Sequence, residues 1–135
     1  MTLKTVPQGV FSDLGLTHVA VTVKSFGSKE SFTADFLVDT GAMDSMAPAS
    51  ELKRIGIEPV GTELYELANG ERVEYQYGVA EFSLLGKNTA GQFIFGPDNS
   101  EPILGVIALE TIGLIVDPKT QTVRRLRARP LKAVA

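Results

Sequence analysis

Short stretches of alternating or β-branched apolar residues recur along the chain, separated by turn-forming residues. Stretches of this kind, bounded by Gly, Pro, Asn, Asp or Ser, are typical of β-strands. The pattern therefore predicts a mostly β fold of short strands. The predicted strands are THVAVTV, TADFLVD, ELYEL, RVEYQYGVAEFSLL, GQFIF and GLIVD.

Two short segments carry helix signals instead. In PASELKRIG, Pro48 suits the first helical turn and Gly56 suits the end of the helix. In VIALETIG, Gly113 has the same stopping role. One or two short helices are thus expected beside the strands.

Turn residues predict two hairpins. Ala68, Asn69 and Gly70 lie between alternating stretches, and Asn-Gly accepts the positive φ angles of a tight primed turn. We therefore expect the tip of a β-hairpin there. Residues 117–120, Asp-Pro-Lys-Thr, are expected to reverse GLIVD into QTVRRL as a second hairpin.

Length and composition are those of an ordinary globular protein. The chain has 135 residues, of which 44% are apolar and 21% charged. These values favour a single domain over residues 1–135, with its core at about 17–117. No apolar run is long enough for a membrane span, and the N-terminal segment lacks the apolar stretch of a secretory signal. We therefore expect a cytoplasmic protein that does not associate with a membrane.

The net charge of -3 is unevenly distributed, because six of the 13 basic residues and no acidic residue lie in 119–135. A basic segment can bind nucleic acid or an acidic surface, but scattered cations are also typical of a solvated terminus. The second interpretation is favoured here. No nucleic-acid partner is therefore expected.

Cysteine is absent and His18 is the only histidine. Disulfides, thiolate nucleophiles and Cys- or His-rich zinc sites are thereby excluded. His18 itself, in LTHVAV, is expected to be a partly exposed strand residue without a catalytic role. The candidate chemistry must come from other residue types.

A carboxylate stands at the end of a predicted strand in FLVDTGAMDS, where Asp39 is followed by Thr40 and Gly41. Glycine allows a close backbone approach at such a reversal, and threonine can donate a hydrogen bond. One buried carboxylate alone is costly and does little to a peptide bond. Two facing carboxylates that share a proton provide an acid and a base at once, and can activate a water molecule.

FLVDTGA resembles the active-site loop of the retroviral-type aspartic proteases, and most closely that of the single-domain, retropepsin-like enzymes of bacteria. Ile103, Leu104 and Gly105, in EPILGVIALETIGL, are similar to the later apolar-apolar-Gly segment of that family. The hairpin at 68–70 falls about where the family has its flap. The resemblance implies a mostly β, retropepsin-like acid protease barrel with one domain per protomer.

The resemblance further implies a homodimer, because the chain contains Asp-Thr-Gly only once and Asp117 is followed by proline. Each Asp39 would face its own image across a two-fold axis. Thr40 would hydrogen-bond across that axis, while Gly41 and Ala42 would line the floor beside a polypeptide substrate. No metal or other cofactor is implied.

Further substrate contacts follow from the same resemblance. Two hairpins tipped by residues 68–70, one per subunit, would close over an extended peptide. Asp44 would contact the substrate near the cleft, although a solvated turn explains it equally well. Leu104 and Gly105 would lie beneath the active loop, where Leu104 is also compatible with a core position and Gly105 with close packing.

Two positions depart from the retroviral pattern. An acidic residue two positions after the motif and an arginine after the later glycine form an ion pair in those enzymes, but Met43 and Val106 occupy these positions here. A basic stretch also replaces the C-terminal strand that retroviral dimers interleave. The missing ion pair and the basic C-terminal stretch each predict an altered dimer contact.

The sequence therefore predicts an aspartic endopeptidase, a hydrolase whose two Asp39 carboxylates bind the attacking water. One alternative is an inactive relative that binds extended peptides as an adaptor. Asp39 as a simple turn residue is another. A phosphatase with a single nucleophilic aspartate is disfavoured, because VDTGAMD lacks the second aspartate two residues on that such enzymes carry.

Overall fold

The computed structural model describes residues 10–12, 16–117, 122–129 and 131. This part of the chain is mostly β, with two short helices. The strands are β1 Val10–Ser12, β2 Leu16–Lys24, β3 Ser31–Asp39, β4 Ser45–Pro48, β5 Gly61–Glu66, β6 Arg72–Leu84, β7 Lys87–Gly96, β8 Ile103–Leu104, β9 Leu114–Asp117 and β10 Thr122–Arg125. The helices are α1 Ala49–Arg54 and α2 Val106–Thr111.

The main sheet has seven strands in the order β2-β3-β8-β4-β7-β6-β5, and β2 also pairs with β6. This extra pairing closes six of the strands into a ring and leaves β5 outside it, attached to β6 alone. The predicted mostly β, barrel-like protease fold is confirmed.

The ring encloses an apolar core to which alternate residues of the strands contribute. Phe36, Phe82 and Phe93 are at most 2% exposed. The Phe93 ring meets the other two edge-on, with centroids 6.4 Å from Phe36 and 5.4 Å from Phe82. Each buried phenylalanine contributes about 1.5–3 kcal/mol through burial, so the core holds β3, and with it Asp39, in a fixed position.

Both predicted helices are present. Pro48 is the N-cap of α1 rather than its first residue, because Pro48 still belongs to β4 and pairs with Gly96 of β7. Gly56 and Gly113 follow the two helices at φ angles of +92° and +90°. Such angles favour glycine, which explains why each helix stops where the sequence predicts.

The hairpin at Asn69-Gly70 is confirmed, since β5 and β6 pair from Gly61 with Tyr77 to Glu66 with Arg72. Its turn type was predicted wrongly. Gly70 has a φ of +87°, whereas Asn69 is not in the left-handed region. The amide of Leu67 donates to the carbonyl of Glu71, so the connection has three residues rather than two.

A two-residue turn at Leu85-Gly86 connects β6 to β7 and was not predicted. Both residues have positive φ, +50° and +79°, as a type I′ turn requires. Leucine rarely adopts this conformation, so the sequence carries only half of the usual signal. The turn gives β6 and β7 their long pairing, from Tyr77 with Ile94 to Leu84 with Lys87.

A second sheet has the order β1-β10-β9. Asp117 of β9 pairs with Thr122 of β10, which confirms the second predicted hairpin, although residues 118–121 lie outside the described part. The part of the basic segment that the structure describes is therefore not simply solvated, because β10 is paired on both sides. The Leu126 amide also donates to the Gly113 carbonyl at 2.8 Å, and the Arg129 guanidinium donates to the Thr111 carbonyl.

No helix among the described residues combines the length and apolar character needed to span a membrane.

Candidate active site

Asp39 is the last residue of β3 and is half-buried. Its Oδ1 accepts the Gly41 amide at 2.9 Å, and its carbonyl accepts the Ala42 amide at 3.1 Å. A β-carbon on residue 41 would lie 3.3 Å from the same Oδ1. The loop thus folds back on its own carboxylate, and glycine at 41 leaves room for that orientation.

The loop after Asp39 is bound to the start of α2 by backbone hydrogen bonds. The Val106 amide donates to the Ala42 carbonyl at 2.9 Å, and the Ile107 amide donates to the Met43 carbonyl at 3.1 Å. The first amides of a helix have no partner within the helix. Here the loop supplies the carbonyls, so helix and loop satisfy each other.

Gly105 fits tightly against the loop. A β-carbon there would lie 2.6 Å from the carbonyl oxygens of both Met43 and Asp44. The Gly105 amide donates to Ser45 Oγ at 3.0 Å, and Ser45 is 2% exposed. Close packing, one of the roles predicted for Gly105, is therefore observed, and Ser45 is a supporting residue that sequence reasoning did not single out.

β8 lies between β3 and β4, the strands before and after the Asp39 loop. It thereby brings the Ile103-Leu104-Gly105 segment next to that loop. It is parallel to β3, with Val38 opposite Leu104, and antiparallel to β4, with Met46 opposite Ile103. Leu104 has no exposed surface in the protomer. This burial agrees with the core interpretation of Leu104.

The β5–β6 hairpin reaches the same loop through a tyrosine. The Tyr65 hydroxyl donates to Asp44 Oδ2 at 2.7 Å. Burial raises the pKa of Tyr65, and the hydrogen bond and negative charge of Asp44 raise it further. The Tyr75 ring lies beside it, with centroids 6.2 Å apart. Of the three tyrosines of this hairpin, Tyr65, Tyr75 and Tyr77, it is Tyr65 that makes the hydrogen bond to the loop.

The predicted flap residues occupy the exposed tip of this hairpin. Ala68, Asn69 and Gly70 form its turn, in which Asn69 Oδ1 accepts the Glu71 amide at 2.9 Å. Thr40 and Ala42 are half-buried beside Asp39. Contacts of these residues with a substrate or a second subunit stay predictions.

Two apolar side chains next to the loop are exposed. Met43 is 69% exposed and Ile107 47% exposed, and the Ile107–Met43 backbone hydrogen bond joins their positions. A cavity of about 20 Å³ lies nearby, lined in part by Asp44, Gln92 and Ile107. It is large enough for about one water molecule.

His18 is a half-buried strand residue, as expected, and its Nε2 lies 2.6 Å from Glu101 Oε2. This pair is on the surface and joins β2 to the segment before β8.

In the described part of the chain, no group of three or more His, Cys, Asp or Glu side chains is arranged to hold a metal ion.

A protein-family model described as "Aspartyl protease" matches residues 12–108. The match contains the Asp39 loop, the β5–β6 hairpin and the segment from Ile103 to Ala108. A comparison with curated proteins gave no match. The matched family belongs to the retropepsin-like clan, which agrees with the closed strand ring and with the pairing of the Asp39 loop against Gly105. The chain therefore belongs to an aspartyl protease family of the retropepsin-like clan.

Proposed function

We propose that this protein is an aspartic endopeptidase that is active as a homodimer, in which each subunit supplies one Asp39. The observation that carries the proposal is the position of Asp39, which is the last residue of a core strand. Its carboxylate accepts the Gly41 amide, and the loop that follows it is hydrogen-bonded to the start of α2. We also propose that the whole chain, 1–135, acts as one protease domain.

The need for a second subunit follows from the count of catalytic groups. The chain has a single Asp-Thr-Gly, and the reaction needs both an acid and a base. A two-fold symmetric dimer brings two copies of Asp39 together at its axis. Because two adjacent carboxylates cannot both ionise, one keeps its proton and the other stays charged.

The proposed reaction is a direct attack of water on the peptide bond. The ionised Asp39 accepts a proton from the water while the water oxygen forms a bond to the scissile carbonyl carbon. The protonated Asp39 donates a hydrogen bond to the carbonyl oxygen. Collapse of the tetrahedral intermediate breaks the C–N bond, and the amine leaves with a proton from the pair. In this proposal, Thr40 holds the two loops together across the axis.

The cleft proposed for the substrate lies between the Asp39 loops and the two hairpins. Ala42 is the floor residue nearest the motif, and residues 68–70 close the cleft from above. An extended peptide fits such a space because its backbone can hydrogen-bond to both walls. Leu104 supports the floor from within the core, and Gly105 holds the loop at close range.

Exposed apolar surface supports a dimer that contacts near this loop. Met43 and Ile107 expose large side chains beside Asp39, where the retroviral resemblance would have a charged residue at 43. A second copy would remove this apolar surface from water. The contact proposed here is therefore apolar rather than ionic.

Purified protein tests the proposal directly. We expect it to sediment as a dimer and to hydrolyse an unstructured protein at acidic pH, and we expect Asp39→Asn to abolish hydrolysis without changing the sedimentation. Asp35→Asn, the same chemical change at an exposed position of β3, serves as the control substitution. A dimer that binds peptides without cleaving them would instead favour the adaptor function, and a strict monomer would contradict the mechanism.

A further inference from the structure

The hydrogen bond between Tyr65 and Asp44 connects the β5–β6 hairpin to the Asp39 loop, although the two residues lie 21 positions apart in the sequence. Tyr65 lies in β5, two residues before the turn that begins at Leu67. Asp44 lies in the loop that follows Asp39. The 2.7 Å distance from the hydroxyl to Oδ2 is that of a strong hydrogen bond to a carboxylate.

The Asp44 end of this bond is fixed. The Asp44 carbonyl oxygen is one of the atoms packed against Gly105. The next residue, Ser45, is buried and accepts the Gly105 amide. Since the backbone on both sides of the Asp44 side chain is held, its carboxylate is an anchor rather than a freely moving group.

The Tyr65 end belongs to a segment with little other support. β5 pairs only with β6, and its residues 62–64 and 66 are exposed. The turn from Leu67 to Glu71 is exposed throughout. Segments with few buried contacts open at low free-energy cost. The Tyr65 hydroxyl, which hydrogen-bonds to Asp44 and also to the Gln92 side chain, is therefore a large part of what holds the outer hairpin, residues 61–77, in place.

We propose that Tyr65 is a positioning residue that fastens the outer hairpin to the Asp39 loop, so that a peptide binds only after the Tyr65–Asp44 hydrogen bond breaks. The fastening is a property of the protomer. Its consequence for peptide binding rests on the proposed protease function. If only the unfastened form binds, the apparent affinity is reduced by the fraction of molecules that are unfastened.

Hydrogen–deuterium exchange of Tyr65→Phe tests the fastening without any substrate. A hydrogen bond to a charged group is worth about tenfold to a hundredfold in such an opening equilibrium. The amides of Leu67 and Gly70 bond to carbonyls within the hairpin, and a two-stranded hairpin without further support is only marginally stable in water. Loss of the fastening should therefore let these amides exchange up to about tenfold faster than in the wild type. The amide of Val60, which donates to the Tyr77 carbonyl at the base of the hairpin, should be unchanged.

Two further variants make the test specific. Tyr75→Phe removes the same hydroxyl from the neighbouring ring and should exchange as the wild type does. Asp44→Ala should speed exchange in the same way as Tyr65→Phe but by no more, since Tyr65→Phe also removes the hydrogen bond to Gln92. The double variant should exchange no faster than Tyr65→Phe alone, because the Tyr65–Asp44 bond is already lost there. Additive effects, or wild-type exchange in Tyr65→Phe, would overturn the proposal.

The kinetic consequence has its own measurement. The substrate is an unstructured protein that the wild type hydrolyses. For this substrate, Tyr65→Phe should lower KM by up to the factor seen in hydrogen–deuterium exchange and leave kcat unchanged. A raised KM would make Tyr65 a substrate-binding residue instead and would overturn the positioning role. If the wild type cleaves nothing, the protease function fails, while the exchange experiment still decides whether Tyr65 fastens the hairpin.

Discussion

Gly105 and Asp44 touch backbone to backbone: a β-carbon added to Gly105 would lie 2.6 Å from the Asp44 carbonyl oxygen. The same contact places the start of α2 within hydrogen-bonding distance of the Asp39 loop. The glycine of the later motif is therefore required for packing against the loop that follows Asp39.

Gly105→Ala tests this packing requirement. The added methyl group meets two backbone carbonyls that cannot rotate away, so we expect a loss of about 1–3 kcal/mol in the free energy of unfolding. Urea denaturation measures it. Gly91→Ala is a matched control, because its β-carbon would meet only the Phe82 ring, at 3.0 Å. An unchanged unfolding midpoint in Gly105→Ala would contradict the close contact.

Ser45→Ala should destabilise the same region by a different mechanism. Ser45 Oγ accepts the Gly105 amide in the interior, and its removal leaves a buried donor without a partner. We expect a cost of about 1–3 kcal/mol. Thr22→Val removes a hydrogen bond of 2.9 Å to Thr33 on the exposed surface and should cost far less. Equal effects would mean that burial of the Gly105 amide does not matter.

Alkaline pH should weaken the fold through Tyr65. Its pKa is raised above the ordinary value of 10.0 by burial and by Asp44, so the neutral phenol is favoured in the folded state. The stabilisation is complete below the ordinary pKa and is lost as the pH rises toward the folded pKa. Wild-type stability should therefore fall more steeply above pH 10 than that of Tyr65→Phe. Parallel stability curves in the two proteins would contradict this assignment.

Met43→Lys should weaken the proposed dimer. A lysine at this position would carry its charge into a contact that we propose to be apolar, so we expect the dimer dissociation constant to rise about tenfold or more. Sedimentation velocity over a range of concentrations measures this. Leu64→Lys, on the exposed face of the hairpin at 54% exposure, is the control. The wild-type dimer should also be insensitive to salt, unlike one held by an ion pair.

The local backbone structure around Asp39 was predictable from sequence because neighbouring residues encode it. Asp39 at a strand end and glycines that stop helices depend on neighbouring residues only. The Tyr65–Asp44 contact was not predictable, because it depends on how far the hairpin curves over the loop. The Leu85-Gly86 turn was missed because leucine is not a turn-forming residue. The pairing of β10 with β1 joins residues more than 100 positions apart, and no local pattern encodes it.

Closure of the ring determines how the hairpin can move. Tyr77 pairs with Gly61 in the hairpin and with Ile94 in the ring, and a β-carbon on the next residue, Gly78, would lie 2.8 Å from the Glu58 carbonyl oxygen. β6 is thus held in place where it leaves the ring, and the hairpin beyond Tyr77 can rotate as a unit about that point. From Tyr77 to Gly70 this part of the hairpin is about 23 Å long, so a rotation of only about 10° at Tyr77 would carry the tip roughly 4 Å, which is close to the distance between neighbouring strands.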